Sequence, residues 1–235
     1  MKRYLLNTII IIITVFTPLH LYSQTYKIVY KTIFNLDKIK SESPEGEAVQ
    51  NLNLFFSEPF TYNLYYKNGI SLFLKDKSIQ NKDNTKIIEI GANDQTYKNM
   101  QENLYVYQSD FFGKLFLVTD KLNNTKWKFT GDEKKIDSYT CKKATTLSES
   151  QGPITAWYTI DLAIPDGPEN YCGLPGLIIE LEQEYQTYKL VSIDFNSDYE
   201  IVKPTKGKAI SQNDYNILLK EKIQEIQDGT IEETF

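Results

Sequence analysis

The alternation of apolar and polar residues along the chain predicts a series of short β-strands. The first segment, Thr25 to Phe34, alternates in part and is typical of a strand with one buried face. The next two segments, Phe60 to Tyr66 and Ile70 to Lys75, flank Asn68-Gly69. Asn-Gly between two such segments is the strongest short-range indication of a β-hairpin. The pattern therefore predicts one strand followed by a hairpin.

Further strand-like segments follow, separated by turns rich in Asp, Gly and Asn. The stretch from Ser78 to Gln101 is polar and predicts a long excursion with one short strand at most, around Ile87 to Ile90. The even spacing of the other segments is typical of an antiparallel meander. These segments are Asn103 to Tyr107, Phe111 to Thr119, Thr125 to Thr130, Ile136 to Tyr139, Thr140 to Leu147, Ile154 to Leu162, Ile178 to Glu182, Tyr188 to Phe195 and, as an edge strand, Tyr199 to Val202.

Near the end of the chain the spacing of apolar residues changes from every second residue to the spacing of an α-helix. Ser211 is a good N-cap and Gly229 follows the last periodic residue, so we expect one amphipathic helix from Gln212 to Gln227. Its apolar face carries Tyr215, Leu218, Leu219, Ile223 and Ile226. The predicted fold is mainly β: an antiparallel curved sheet or open half-barrel meander with this C-terminal helix packed on it.

The N-terminus has the layout of a secretory signal peptide. Lys2-Arg3 precede an apolar run from Tyr4 to Phe16, and a candidate cleavage site that ends in the small residue Ser23 follows at Leu21-Tyr22-Ser23. A membrane anchor is the competing interpretation, but the run is shorter than the ~18 residues expected of a spanning helix. We therefore expect residues 1–23 to be removed, leaving residues 24–235 as a single domain without a transmembrane anchor, in the periplasm or outside the cell.

Charge and histidine content exclude several classes of function. The formal net charge is −5 with no basic stripe, which argues against a nucleic-acid partner. The only histidine, His20, lies in the predicted signal peptide. The mature chain then has no Ser-His-Asp or Cys-His catalysis and no His-ligated zinc. We predict no metal, no cofactor and no catalytic residue of these types.

Two Gly-Pro-rich turns mark the segment from Pro165 to Leu181 as the centre of the chain. Prolines that fix φ and glycines that permit unusual φ predict a rigid loop from Asp166 to Pro175. From Leu177 the sequence Leu-Ile-Ile-Glu-Leu is typical of a buried strand.

The six residues Gly173-Leu174-Pro175-Gly176-Leu177-Ile178 resemble the signature of the GLPGLI family, also called the Porph_ging family, of secreted Bacteroidetes-type proteins. The resemblance extends through Ala156 to Thr159, Ile164-Pro165, Ser138 to Ala144 and Ser71 to Phe73. It implies a secreted, β-rich protein of unknown role. It supplies no catalytic residues.

Cys141 and Cys172 are the only cysteines. In an oxidising compartment an even number of cysteines first suggests a disulfide, which would tie the strand after Tyr139 to the Gly-Pro loop. The alternative is a redox or metal-binding pair of thiols, for which CxxC spacing and histidine are absent.

Three residues are candidates for ligand contact: Trp157, Tyr158 and Leu174. Trp157 and Tyr158 alternate on the strand from Ile154, so both faces of that strand carry a large side chain. One explanation is a strand buried on both sides; the other is a groove in which Trp157 stacks on an apolar or sugar-like ligand. The composition, 13% aromatic with 17 Tyr against 12 Phe, supports binding only weakly.

Carboxylates near the loop offer a second class of function. Asp161, Asp166 and Glu169 could supply an acid pair for glycoside hydrolysis, which needs no histidine. They could equally belong to turns. A carboxylate within about 10 Å of one of them in a cleft would favour the enzyme. The sequence favours a non-enzymatic carrier or binding module for an apolar ligand or a cell-envelope partner, with a carboxylate-dependent hydrolase or a protein-docking accessory factor as alternatives.

Overall fold

The computed structural model describes residues 24–42, 59–76, 93–111, 113–122, 125–148 and 152–227. The predicted signal peptide, the predicted strand at Ile87 to Ile90 and Gly229 lie outside these residues. Within them, one short helix, α1 (Leu36–Glu42), and one long helix, α2 (Gln212–Gln227), accompany twelve strands. The strands are β1 (Thr25–Phe34), β2 (Thr61–Lys67), β3 (Ile70–Lys75), β4 (Gln95–Asn99), β5 (Leu104–Phe111), β6 (Lys114–Lys121), β7 (Lys128–Ile136), β8 (Tyr139–Ser148), β9 (Gly152–Thr159), β10 (Leu177–Glu182), β11 (Gln186–Ser197) and β12 (Lys208–Ile210).

All twelve described strands belong to one sheet, in the order β12-β6-β5-β4-β3-β2-β1-β11-β10-β9-β8-β7. The sheet is therefore two meanders, β1 to β6 and β7 to β11, joined in the middle by the antiparallel pair of β1 and β11. Every neighbouring pair is antiparallel except β12 with β6, which is parallel. The predicted mainly β fold with a C-terminal helix is confirmed.

The connection between the two meanders requires the sheet to curl. In a flat sheet, β6 and β7 would be ten strand spacings apart, or about 48 Å at ~4.8 Å each. The chain passes from the end of β6 to the start of β7 through residues 122–127, a link that reaches at most about 25 Å when fully extended. The sheet is consequently strongly curved but not closed.

The main core lies on one face of this curved sheet, called the inner face here. Ile28 and Tyr30 of β1 and Leu64 of β2 are fully buried on it. Residues 160–176, which link β9 to β10, lie against the same face and contribute the buried side chains of Ile164 and Leu174. The loop therefore covers the middle of this face of the sheet.

Helix α2 packs on the inner face at the β5–β6 side of the sheet. The Ser211 hydroxyl accepts a hydrogen bond from the Asp214 amide at 3.0 Å, as predicted for the N-cap. Tyr215 is 3% exposed, packs beside Phe116 and donates its hydroxyl to Ser109 at 2.6 Å. The predicted helix and its packing against the sheet are confirmed through this first half; the side chains of Ile223 and Ile226 lie outside the description.

The prediction of an edge strand at Tyr199 to Val202 is wrong. This segment is irregular and lies on the outer face, where the Tyr199 ring stacks on Tyr65 with ring centroids 3.6 Å apart. Ile201 packs on the outer-face cluster of Leu72, Tyr97 and Val106. Tyr199 and Ile201 cover part of the sheet instead of extending it, which a strand-like pattern alone does not distinguish.

Candidate functional site: a tyrosine and carboxylate pocket beside the signature loop

The loop of residues 160–176 is rigid because its backbone is hydrogen-bonded to itself and to β10. Asp166 and Cys172 form an antiparallel bridge, and the Gly173 amide donates to the Pro165 carbonyl at 3.0 Å. The Ile178 amide donates to the Asp166 carbonyl at 3.1 Å, which connects the loop to the next strand. The rigid loop predicted from the Gly-Pro pattern is therefore present.

A buried ion pair fixes the loop to the first meander. The Lys98 ammonium of β4 lies 2.5 Å from Asp166 Oδ1, and both side chains are fully buried. Lys98 also donates to the Gly167 carbonyl at 2.9 Å. The Trp127 indole, in the link before β7, donates to the Cys172 carbonyl of the loop at 2.9 Å, and the Tyr30 hydroxyl of β1 donates to the carbonyl of Ile178, just after the loop, at 2.7 Å. The loop is thus held from several sides at once.

A pocket of about 390 Å³ remains open next to the loop. It lies between the first meander and β11, with the loop turn at Glu169 and Asn170 forming part of its wall. Its volume is within the range of small-molecule sites. The residues that line it are Tyr62, Phe73, Leu74, Asp94, Thr96, Tyr105, Tyr107, Glu169, Asn170, Gln186 and Tyr188.

Glu169 is presented to the pocket by an unusual backbone conformation. Its φ is +53°, a left-handed value that costs a non-glycine residue free energy. Its carboxylate accepts hydrogen bonds from the Tyr188 hydroxyl at 2.7 Å and from the side-chain amides of Gln183 and Gln186 at 2.8 and 3.2 Å. Strained residues held by surrounding contacts concentrate at functional sites, which makes Glu169 a candidate.

Asp94 is the second carboxylate in the pocket. Its Oδ2 accepts the Tyr107 hydroxyl at 2.5 Å and its Oδ1 accepts the Asp110 amide at 2.8 Å. Burial raises the pKa of Asp94, and these hydrogen bonds oppose the rise only in part. The ionised form of Asp94 is therefore destabilised where it stands.

The tyrosines of the pocket remain protonated at any ordinary pH. Burial is the main cause that raises the pKa values of Tyr62, Tyr105, Tyr107 and Tyr188, and Asp94, Glu169 or both raise them further. The Tyr62 ring stacks on Phe73 with ring centroids 5.1 Å apart and meets Tyr188 edge to face at 5.5 Å. The pocket therefore offers neutral aromatic surface together with phenolic hydroxyls.

Two acidic side chains line the pocket. They are Asp94 and Glu169, and among the described residues that line it none is a lysine, arginine or histidine. Among the described residues, no group of three or more His, Cys, Asp or Glu side chains is arranged to hold a metal ion. The arrangement can accept hydrogen bonds, present aromatic faces and attract positive charge.

The three ligand-contact candidates from the sequence do not line this pocket. Leu174 and Tyr158 are buried at 1% and 4% exposure in the inner-face core. Trp157 is half-buried on the opposite face of β9, where its indole donates to Glu182 at 3.0 Å and the Lys134 ammonium lies 4.1 Å from its ring centroid. A role of these residues in ligand binding stays a prediction.

The predicted disulfide is wrong: Cys141 and Cys172 are both free and buried. Cys141 lies on β8 opposite Lys134 of β7, whereas Cys172 lies in the loop opposite Asp166. Separate backbone pairings therefore fix the two cysteines in different surroundings, which an even count of thiols cannot reveal. Burial raises the pKa of each thiol to about 11, which also argues against a reactive pair.

Of the three acids singled out in the sequence, only Glu169 lines the pocket. Asp166 is used by the buried ion pair, and Asp161 is exposed, with its amide donating to the Thr159 hydroxyl at 3.3 Å. Sequence reasoning missed Asp94 and all four pocket tyrosines. The available signal was the spacing of Tyr105 and Tyr107, because residues two apart in a strand place their phenols on one face.

A model of the family described as "Protein of unknown function (Porph_ging)" matches residues 148–180. This confirms the resemblance seen in the sequence over β9, the loop and the start of β10, including Glu169. The resembling segments at Ser138 to Ala144 and Ser71 to Phe73 lie outside the match. No curated protein matches the chain.

The two crystal forms of PNGF-II share the fold at low sequence identity. PNGF-II in a C2 crystal form aligns with a TM-score of 0.55 and 19% identity, covering 84% of this chain and 33% of PNGF-II. PNGF-II in a P21 form gives a TM-score of 0.53, 18% identity and coverages of 84% and 34%. An uncharacterized conserved protein from Thermus thermophilus aligns with a TM-score of 0.39 and 7% identity, over 81% of this chain and 92% of that protein. The chain thus spans about a third of the length of PNGF-II.

Within the described part of the chain, neither helix combines the length and the apolar character needed to cross a membrane.

Proposed function

We propose that the protein is a non-enzymatic binding module that holds a small polar ligand in the tyrosine and carboxylate pocket. The observation that carries this proposal is that the loop matched by the family model presents Glu169, in a strained conformation, to a pocket that Asp94 also lines. A rigid loop that packs on the sheet but leaves about 390 Å³ open beside a strained carboxylate is suited to holding a ligand.

The chemistry of the lining favours a polar ligand over an apolar one. An apolar molecule would remove water from Asp94 and Glu169 without replacing its hydrogen bonds, which costs several kcal/mol per charged group. A polar ligand could hydrogen-bond to these carboxylates while its apolar surface lies against the tyrosine rings. In the exported compartment that the sequence predicts, such a module would carry or capture a small molecule.

A substitution that fills the pocket tests this proposal. Asn170 lines the pocket on the loop, and Asn196 lies exposed on β11, outside the lining. We expect Asn170→Trp to abolish the thermal stabilisation that a bound small molecule produces, and Asn196→Trp to retain it. A ligand at 100 times its Kd stabilises the folded state by about 2.7 kcal/mol, which a melting experiment detects.

The measurement combines a thermal-shift screen of polar metabolites with native mass spectrometry of protein purified from its producing cell. A binding role for this pocket would be contradicted if the ligands bound both variants equally. It would also be contradicted if no compound bound the unmodified protein. Circular dichroism of both variants establishes that each one is folded.

A second candidate function is a carboxylate-dependent hydrolase, favoured by one observation. Asp94 and Glu169 share a pocket, and burial raises the pKa of Asp94, as a general acid requires. If the protein is such an enzyme, it should release nitrophenol from a nitrophenyl glycoside. Asp94→Asn and Glu169→Gln should then each lower kcat at least about 100-fold. Binding without turnover favours the binding module.

A further inference from the structure

A buried cluster of polar side chains beside the signature loop makes fewer hydrogen bonds than its atoms require. Asp166, Lys98 and Ser71 are each fully buried, and Ser71 lies directly opposite Lys98 in the pairing of β3 with β4. Side chains at such opposite positions are neighbours on the same face of a sheet. In the part of the chain that the structure describes, neither Asp166 Oδ2 nor the Ser71 hydroxyl has a hydrogen-bond partner. A buried polar atom without a partner is costly, so this cluster needs an explanation.

The two oxygens of the Asp166 carboxylate have different surroundings. Oδ1 accepts the Gly167 amide at 2.7 Å and lies 2.5 Å from the Lys98 ammonium, whereas Oδ2 accepts no hydrogen bond from the described residues. Because a C–O bond is about 1.2 Å long, the carboxyl carbon of Asp166 lies at most about 3.7 Å from Lys98 Nζ. Reacting atoms held about 3–3.5 Å apart are close to an attack geometry. The Lys98 nitrogen is therefore placed beside an electrophilic carbon.

An amide bond between these two side chains would remove the cost of burying their charges. Taking two ions out of water is costly, and their attraction offsets this cost only when their other donors and acceptors are hydrogen-bonded. Oδ2 of Asp166 does not meet that condition. Condensation would convert both charges into one neutral amide and remove Oδ2 as water. Oδ1 would remain as the amide oxygen and keep its hydrogen bond from the Gly167 N–H.

We propose that Lys98 and Asp166 become joined by an isopeptide bond that the folded protein forms by itself. One proton passes from the Lys98 ammonium to Asp166 Oδ2, which leaves a neutral amine and a neutral carboxyl group. Lys98 Nζ then forms a bond to Asp166 Cγ, a second proton passes from Nζ to Oδ2, and the bond between Cγ and Oδ2 breaks. The products are one amide, which keeps the third proton as its N–H, and one water molecule. The step needs no oxidant, reductant or co-reactant, and it is independent of ligand binding.

Two neighbouring groups fit the requirements of this step. The Gly167 amide is already directed at Oδ1, the oxygen on which negative charge develops during the attack. The Ser71 hydroxyl can accept a proton from Nζ and donate one to Oδ2, which makes it a proton relay. The bond would connect β4 covalently to the signature loop, a connection that the two free cysteines do not provide.

The mass of the protein tests the proposal directly. We expect the folded chain, once reduced and denatured for measurement, to be lighter than its sequence by one water molecule. Trypsin digestion and tandem mass spectrometry should then give one branched species that joins the peptide containing Lys98 to the peptide containing Asp166. A chain kept in urea throughout purification should have its full mass and should lose water only after it is refolded.

Two controls separate this bond from other causes of the same mass change. Asp166 precedes Gly167, and an Asp-Gly pair can also lose water by forming a succinimide with its own backbone. A succinimide gives no branched peptide and persists in Lys98→Arg, whereas the isopeptide bond cannot form in that variant. The ion pair of Lys134 with Glu180 has a similar separation of 2.7 Å, but the Lys134 side chain is 36% exposed, so this pair should remain unlinked.

Substitutions of Ser71 test its role as a proton relay. Ser71→Ala should slow formation of the bond during refolding by about tenfold or more, and Ser71→Thr, which keeps a hydroxyl, should slow it less. Circular dichroism establishes that each variant is folded. Equal rates for Ser71→Ala and the unmodified chain would overturn the relay. A folded, unmodified protein that yields no branched peptide, whether it has its full mass or contains a succinimide, would overturn the isopeptide bond itself.

Discussion

A fully buried lysine needs a partner of opposite charge, and Lys98 has one in the signature loop. Its contacts with Asp166 and the Gly167 carbonyl are the charged connection between the first meander and the loop. Breaking a buried ion pair by removing one partner is strongly destabilising because the remaining charge is left without compensation. Lys98 of β4 is therefore one of the residues on which the position of the loop that bears Glu169 depends.

Lys98→Met should lower the free energy of unfolding by about 3 to 5 kcal/mol, since it leaves Asp166 buried and unpaired. Urea denaturation followed by circular dichroism measures this. The double variant Lys98→Met with Asp166→Asn also removes the unpaired charge of Asp166, and it should recover part of the lost free energy of unfolding. A double variant less stable than Lys98→Met would contradict this account of the pair.

The residues of the site were only partly predictable. Glu169 was singled out because it lies in a Gly-Pro turn, but Asp94 lies at the end of a long polar stretch with no local signal. Asp94 and Tyr107 meet because β4 pairs with β5 in a given register, which is set by contacts distant in sequence. Trp157 was predicted as a ligand contact from its alternation with Tyr158, yet its neighbours Lys134 and Glu182 come from other strands.

At the scale of elements, the strands were predictable where alternation and turn chemistry agree. β1 and α2 have the predicted boundaries, and the hairpin at Asn68-Gly69 has φ values of +51° and +77°, as a type I′ turn requires. The strand order was not predictable, because nothing local indicates that β1 pairs with β11. The pattern of apolar residues also gave the wrong result for Tyr199 to Val202, in which Tyr199 and Ile201 pack on the outer face of the sheet.

The junction between the loop and β10 leaves no room for a side chain at Gly176. A Cβ atom there would lie 1.8 Å from the Thr159 carbonyl oxygen, whereas at Gly69 the nearest atom would be 3.7 Å away. Gly176→Ala should therefore lower the free energy of unfolding by about 3 kcal/mol or more. Gly69→Ala should cost about 1 kcal/mol, from its positive φ alone. Melting curves check this, since the loss expected for Gly69→Ala corresponds to a decrease of about 2–4 °C in Tm. Equal Tm values for the two variants would contradict the expectation that Gly176→Ala is the less stable one.

Three strands of the second meander are connected on their outer face through Glu180. Its carboxylate lies 2.7 Å from the Lys134 ammonium of β7 and 3.1 Å from that of Lys189 on β11. Burial alone would raise the pKa of Glu180, but the two lysines outweigh burial and lower it. A carboxyl group with a lowered pKa in the folded state stabilises the fold above its unfolded pKa and loses this contribution as pH falls through the folded value.

The free energy of unfolding should accordingly decrease as pH falls below the unfolded glutamate value of about 4.3. Glu180→Gln should be less stable than the unmodified protein at pH 7, and the two should approach each other in stability at pH 2 to 3. Urea denaturation at a series of pH values measures the difference. Glu133→Gln, at an exposed acid 3.7 Å from Lys142, is the control and should show a much smaller difference. A constant difference between Glu180→Gln and the unmodified protein across this range would contradict the argument.

At the scale of the whole molecule, stability should be graded from the middle of the sheet outwards. β1 has a hydrogen-bonded neighbour on each side and carries the buried Ile28, Tyr30 and Thr32, whereas the described residues of β7 are mostly exposed at an edge. Amides protected by global unfolding exchange most slowly, and edge strands open locally.

Hydrogen exchange followed by NMR or mass spectrometry should show the slowest exchange in β1, β2, β10 and β11. The amides of β7 should exchange faster than those of these four strands, because β7 has one neighbour and an irregular register between Phe129 and Glu133. Uniform protection across the sheet, or greater protection in β7 than in β1, would show that the centre of the sheet is not its most stable part.

The central pair of β1 and β11 also bears on synthesis at the ribosome. β1 emerges before the other described strands, and β2 can cover one of its edges soon afterwards, but the strand that covers the other edge, β11, is made only after β2 to β10. Throughout that interval a nascent chain presents a row of unpaired backbone N–H and C=O groups, the feature through which partly made chains associate with one another. A chain truncated at Glu182 should for this reason aggregate, whereas one that includes β11 should not, and sedimentation of the two translation products would show the difference.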